Sequence, residues 1–139
     1  MAHFVTNVKT SLSPDEAFDY MTDLRNFVEW DPGVSSSRMA SEGDIEQGSA
    51  FDVVASGANL TYVLVEYDRP RRAVAEANTA RLRSYDIIEV QPAEGGSIVT
   101  YDATLELKGP FKLFSPVMAL AFARIAAKAD EGLQKALPQ

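Results

Sequence analysis

Hydrophobic and polar positions change rhythm twice along this chain. His3–Thr10 (His-Phe-Val-Thr-Asn-Val-Lys-Thr) is rich in β-formers and predicts a first strand. Ser13-Pro14-Asp15-Glu16 then predicts a helix start. Ser13 is placed to cap, Pro14 suits the first helical position, and Glu16 completes a capping box. Ala17, Phe18, Tyr20 and Met21 give this short helix an apolar face. Asp23 reads as the cap of a second short helix, with Leu24, Phe27, Val28 and Trp30 on its buried side and Asp31-Pro32-Gly33 as its stop.

From there to about residue 107 the rhythm is that of strands. Expected strands cover 34–41, 49–55, 60–67, 73–77, 81–90 and 98–107. Asp68-Arg69-Pro70-Arg71 reads as a turn and Glu94-Gly95-Gly96-Ser97 as a hairpin turn. No helical crossover separates these strands, so the pattern is an antiparallel meander and not a βαβ fold.

The rhythm changes again after Lys108. Phe114, Val117, Met118, Ala121, Phe122, Ile125, Ala129, Leu133 and Ala136 recur at steps of three and four. They predict one helix from Pro116 to Leu137, capped by Ser115 and about 33 Å long at about 1.5 Å per residue. Gly132 marks either a close-packing point or a kink. The expected fold is therefore α+β, a single domain over 1–139. A long apolar helix needs a sheet to cover it, and about seven strands must curve to do so. A curved sheet around a helix that does not fill it leaves a hollow.

Composition narrows the chemistry. The 139 residues include no cysteine, which removes disulfides, thiolate catalysis and thiolate metal centres. His3 is the one histidine, so a His-based metal site or catalytic triad has little to draw on. No metal and no cofactor are expected. The net charge of −7 argues against a nucleic-acid partner. It is uneven: residues 1–60 hold ten acids and three bases, and residues 61–139 hold ten of each. Uninterrupted apolar runs are short, Pro116 to Ala123 being the longest, so no membrane insertion is expected and a cytoplasmic location is the default.

Three local motifs resemble those of the helix-grip superfamily, which includes START-type lipid-transfer domains, polyketide cyclases and dehydrases, and the pollen-allergen ligand binders. The first runs from Ser13-Pro14-Asp15-Glu16-Ala17-Phe18 through Asp23 and Asn26 to Trp30-Asp31-Pro32-Gly33-Val34. The second is Glu66-Tyr67-Asp68-Arg69-Pro70-Arg71-Arg72, and the third is Gly95-Gly96-Ser97-Ile98-Val99-Thr100-Tyr101, with Ser97 where Thr is usual. The resemblance covers nearly the whole chain. It implies a deep, largely apolar cavity between a curved sheet and the C-terminal helix, walled by the concave sheet face and the helices.

Strand alternation then assigns inward positions. With Glu66 facing water, Thr61, Val63, Val65 and Tyr67 turn inward. With Asp52 outward, Phe51, Val53 and Ala55 turn inward. On the last strand Val99, Tyr101, Ala103, Leu105 and Leu107 do the same. Strand 81–90 has two parities, one through Leu82, Ser84, Asp86, Ile88 and Val90 and one through Arg83, Tyr85 and Ile87. The second is favoured here, which aims Arg83 at the cavity mouth as an anion contact.

On the helices, Phe114, Met118, Phe122 and Ile125 form a stripe that serves as core and cavity wall at once. Trp30 either contacts ligand or anchors the short helices to the sheet. Tyr67, Tyr85 and Tyr101 offer hydroxyls to a ligand or a proton-transfer step. Arg69, Arg71, Arg72, Arg81 and Arg83 either bind an anion or balance neighbouring acids, and Asp15, Glu16, Asp19 and Asp23 read as helix-start acids.

The favoured function is binding, with transport as an extension, of a small hydrophobic or amphipathic ligand such as a lipid, an isoprenoid or an aromatic polyketide. A cyclase or dehydratase acting through polar groups inside the cavity is the second reading. A protein-interaction module using the acidic N-terminal half is the third. A sheet-edge homodimer is compatible with the pattern, though nothing in the sequence signals it.

Overall fold

The computed structural model describes residues 2–139. One antiparallel sheet of seven strands forms the body, in the order β1-β7-β6-β5-β4-β3-β2. The strands are β1 (Ala2–Thr10), β2 (Val34–Met39), β3 (Ala50–Ala55), β4 (Ala58–Asp68), β5 (Arg72–Asn78), β6 (Leu82–Ala93) and β7 (Gly96–Leu107). Each strand from β2 onward pairs with the next along the chain, and β1 returns to pair with β7. The sheet curls around a helix as a half-barrel, so the α+β helix-grip architecture expected from the sequence is the one observed.

The short helices follow their capping chemistry. Helix α1 (Pro14–Thr22) begins with a complete capping box, in which Glu16 N–H donates to Ser13 Oγ and Ser13 N–H to Glu16 Oε1, both at 3.2 Å. The Asp23 carboxylate then accepts from Arg25 N–H, which caps a 3₁₀ turn at Leu24–Asn26 that leads into the single turn α2 (Phe27–Trp30). Phe18, Met21, Leu24, Phe27 and Trp30 from these turns are buried against the sheet.

Helix α3 (Ser115–Ala136) differs from expectation at its start. A 3₁₀ segment, Gly109–Phe114, runs straight into it, so Ser115 is already helical and makes no cap. Its C-terminal half is fastened down. Ala126, Ala129 and Leu133 enter the core, Thr6 hydrogen-bonds Asp130, and Ser11 N–H donates to the Pro138 carbonyl at 2.9 Å. Gly132 is a close-packing point: a Cβ there would lie 2.0 Å from the Trp30 carbonyl oxygen. The N-terminal half and the 3₁₀ segment before it are looser, with Leu113 and Phe114 of the segment and Val117 and Leu120 of the helix exposed. By length and composition alone Gly109–Ala136 is apolar enough to cross a membrane, because its alanines add hydropathy without forming long blocks of large side chains.

Two strands present a different face from the one expected. On β4 the inward residues are Leu60, Tyr62 and Leu64, whereas Val63 is half-buried on the outer face and Val65 is exposed. The cause is an irregularity in the β4–β5 register between Leu64 and Glu66. One extra residue there reverses the alternation. Glu66 is indeed outward, bonded to Arg72 at 3.1 Å, and Tyr67 is inward against Phe18. Counting back from Glu66 across the irregularity assigns Val63 and Val65 to the wrong side. On β6 the inward parity is Leu82, Ser84, Asp86, Ile88 and Val90. Arg83, Tyr85 and Ile87 face outward, where Arg83 bonds Glu76 at 2.8 Å and stacks on Tyr85. That face suits them because a guanidinium keeps its carboxylate partner and its water.

Candidate functional site

The curl leaves a cavity of about 230 Å³ between the inner face of β4, β6 and β7 and the middle of α3. Its apolar wall includes Phe4, Leu60, Leu82, Ala103, Leu105, Met118, Phe122 and Ile125. Its polar residues are Asp31, Ser56, Tyr62, Ser84, Asp86 and Tyr101. A larger groove of about 540 Å³ lies outside the hollow, between Ala2–Thr6 and α3, but its polar pair, Thr6 and the half-buried Asp130, is already hydrogen-bonded together.

Small residues on β5 leave room for the side chains that wall the chamber. Ala73, Ala75 and Ala77 are fully buried on the inner face. Ala77 lies in register between Tyr62 on β4 and Ser84 on β6. Its methyl group leaves Tyr62 free to lean across, and the Tyr62 hydroxyl meets Ser84 Oγ at 2.7 Å. One step along, Asp86 stands between Ala75 and Ala103. Tyr101 pairs in register with Ile88, which makes Asp86 its diagonal neighbour. The Tyr101 hydroxyl donates to Asp86 Oδ2 at 2.7 Å. Tyr101 is held on its other sides by Trp30, edge-on with ring centres 5.0 Å apart, and by Phe4 at 5.9 Å.

Asp86 is 3% exposed and has no cationic partner among the described residues. Burial raises its carboxyl to about 7, and Asp31 pushes in the same direction against the lowering effect of the Tyr101 hydroxyl. Asp31 is also raised, again chiefly by burial, although Gly33 N–H donates to its Oδ1 at 2.9 Å. Tyr62 and Tyr101 are pushed up by burial and then by the Asp86 charge, so both phenols remain protonated. The result is an apolar chamber with neutral hydroxyls and two carboxyl groups of weakened acidity on its wall.

Of the residues singled out from the sequence, Tyr101, Ala103, Leu105, Met118, Phe122 and Ile125 stand on the cavity wall. Trp30, Phe51 and Val53 are buried but pack behind the wall as core. Tyr67 packs on Phe18, and Phe114 is 60% exposed at the start of α3, which carries it away from the chamber. Val63, Val65, Arg83, Tyr85 and Ile87 lie on the outer face, so Arg83 does not guard the mouth. Sequence reasoning missed Phe4, Asp31 and Tyr62, and passed over Ser84 and Asp86 in favouring the other parity of β6. A signal for the β6 pair was present: the outer parity carries Arg83 and Glu89, while the inner one carries Leu82, Ile88 and Val90. Of the helix-start acids, Asp19 bonds Arg69 through two 2.8 Å contacts and Asp23 bonds Arg25. Arg71 pairs with Asp68, and Arg72 with Glu66 and Glu89.

Comparison with solved structures gives the same architecture. A START superfamily protein from Mycobacterium smegmatis superposes with a TM-score of 0.74 at 10% identity, over 99% of this chain and 97% of that one. The protein XoxI from Bacillus cereus gives 0.67 at 16% identity, over 99% and 96%. Ara h 8.0201 gives 0.56 at 17% identity, over 94% and 97%. At such identities the likeness is one of fold. No curated protein matches the sequence. The family model described as polyketide cyclase / dehydrase and lipid transport matches residues 1–138, and the chain belongs to that family.

Proposed function

We propose that this protein binds a compact, largely apolar small molecule in the chamber between the sheet and α3. The observation that carries this reading is the chamber itself, an apolar hollow with a few convergent polar groups, as ligand sites generally are. At about 230 Å³ it lies below the roughly 300–1,000 Å³ usual for drug-sized ligands. It favours a molecule of one or two rings, or a short isoprenoid, over a two-chain lipid. Covering about 200 Å² of ligand apolar surface would contribute roughly 5 kcal/mol at about 25 cal/mol per Å², before association costs. A soluble, cytoplasmic carrier or sensor goes with this reading. Native mass spectrometry of freshly purified protein, followed by organic extraction, tests it. The expected result is a one-to-one adduct that is lost in Ala103→Phe, which fills the chamber. An adduct that persists in that variant places the ligand elsewhere.

Asp86 supports a second reading, an enzyme of the cyclase or dehydratase type. A carboxyl titrating near 7 and bonded to a phenol is matched to proton transfer at neutral pH. The expected signature is a substrate whose turnover Asp86→Asn lowers by 100-fold or more while its affinity stays within a few-fold. Equal losses of both would mean that Asp86 only binds.

A further inference from the structure

We propose that the chamber selects an apolar molecule ending in a hydrogen-bond donor, an alcohol or an amine, and rejects apolar carboxylates. The inference rests on the ligand-binding reading above and narrows it.

It starts from a count of donors and acceptors. Among the described residues no Lys, Arg or His lines the chamber. Arg83, the nearest guanidinium in sequence, faces outward and is bonded to Glu76. The Tyr101 proton is committed to Asp86 Oδ2. Asp86 Oδ1 accepts no hydrogen bond from the described residues, yet no buried side-chain oxygen among them is left without a partner. That oxygen is therefore open to the chamber. Asp31 Oδ1 takes the Gly33 N–H, and its second oxygen accepts nothing from the described residues. Against these carboxyl oxygens the wall offers the spare proton of the Tyr62–Ser84 hydroxyl pair and the Ser56 hydroxyl. At pH 8, above the value of about 7 to which burial raises Asp86, that carboxyl is ionised and acceptors outnumber donors, so a complementary ligand brings a donor of its own.

Charge leads to the same class. A ligand carboxylate would enter a hollow in which the described residues place two carboxyl groups and no cation, and an unpaired buried charge is costly. An ammonium would meet Asp86 as a partner and draw it into its ionised form. An alcohol would donate to Oδ1 without any change of charge. The apolar body of the ligand would lie on Leu60, Leu105, Met118 and Ile125.

The test is a matched set of probes with one apolar body: butylbenzene, phenylbutanol, phenylbutylamine and phenylbutanoate. Each is titrated at pH 8 by Trp30 fluorescence, since Trp30 lies against Tyr101. The expected result is that the alcohol, the amine or both bind at least tenfold tighter than the butanoate. In Asp86→Asn that gap should shrink several-fold, chiefly through gained butanoate affinity. An alcohol stronger than the amine would mark a neutral donor as the natural group, and the reverse order an ammonium. If butylbenzene binds but the butanoate matches the alcohol, the selectivity is wrong and the binding reading stands. If none of the four binds, the binding reading fails and this inference with it. Should Asp86→Asn not fold, the wild-type pH profile serves instead. The preference for the tighter of the two donor probes over the butanoate should grow several-fold from pH 6 to pH 8, a range in which the butanoate stays ionised and Asp86 loses its proton, and a flat profile would overturn the proposal.

Discussion

Asp86 concentrates the tension of this fold in one side chain. A carboxyl with one phenolic partner is held inside an apolar chamber, and burial lifts it to about 7. The consequence for stability has a definite sign. Between the unfolded value near 3.8 and about 7, the folded state holds the proton and the unfolded state has lost it. Stability from this group is fully present at low pH and falls as pH rises through that window, by about 1.4 kcal/mol per pH unit. Asp19 and Glu76, lowered by Arg69 and Arg83, act in the opposite direction at acid pH. The difference between wild type and Asp86→Asn isolates the effect. Urea unfolding at pH 5 and pH 8 should show Asp86→Asn gaining on wild type by at least 1 kcal/mol at the higher pH. An unchanged difference would mean that Asp86 is better solvated than the geometry implies.

At the scale of elements, the strand irregularity and the helix contact are the decisive features. On β4, Leu64→Ala should cost about 2–5 kcal/mol because it empties a fully buried site. Val65→Thr should stay within about 0.5 kcal/mol, since Val65 is exposed. Denaturation midpoints of the two variants decide between the observed parity and its reverse. On α3, Gly132→Ala gains helix propensity but drives a methyl group into the Trp30 carbonyl. A net loss of about 1–3 kcal/mol is expected by thermal unfolding. A stabilised variant would show that α2 can move aside. The elements themselves were legible from the chain because their signals are local. The Ser13–Glu16 box, the strand alternation and the three-and-four stripe of α3 each read off a few neighbouring residues. The faces of β4 and β6 were not. An added residue near Val65 leaves no mark in composition. An inward Ser84 and Asp86 defy the expectation that polar side chains face water, and such breaks in pattern concentrate where a site is built.

At the scale of the whole molecule, the curl, the alanines of β5 and the half-fastened helix serve one end, a hollow that the core does not fill. Asp19 and Asp23 of the acidic N-terminal half are paired with arginines, and Glu16 belongs to the α1 capping box. The central claim, that the chamber is the working part, is tested most directly by one comparison. Phenylbutanol is titrated into wild type and into Ala103→Phe, with heat and Trp30 fluorescence as readouts. The account predicts saturable one-to-one binding to wild type and at least tenfold weaker binding to the filled variant. Saturable binding of equal strength in both would contradict it.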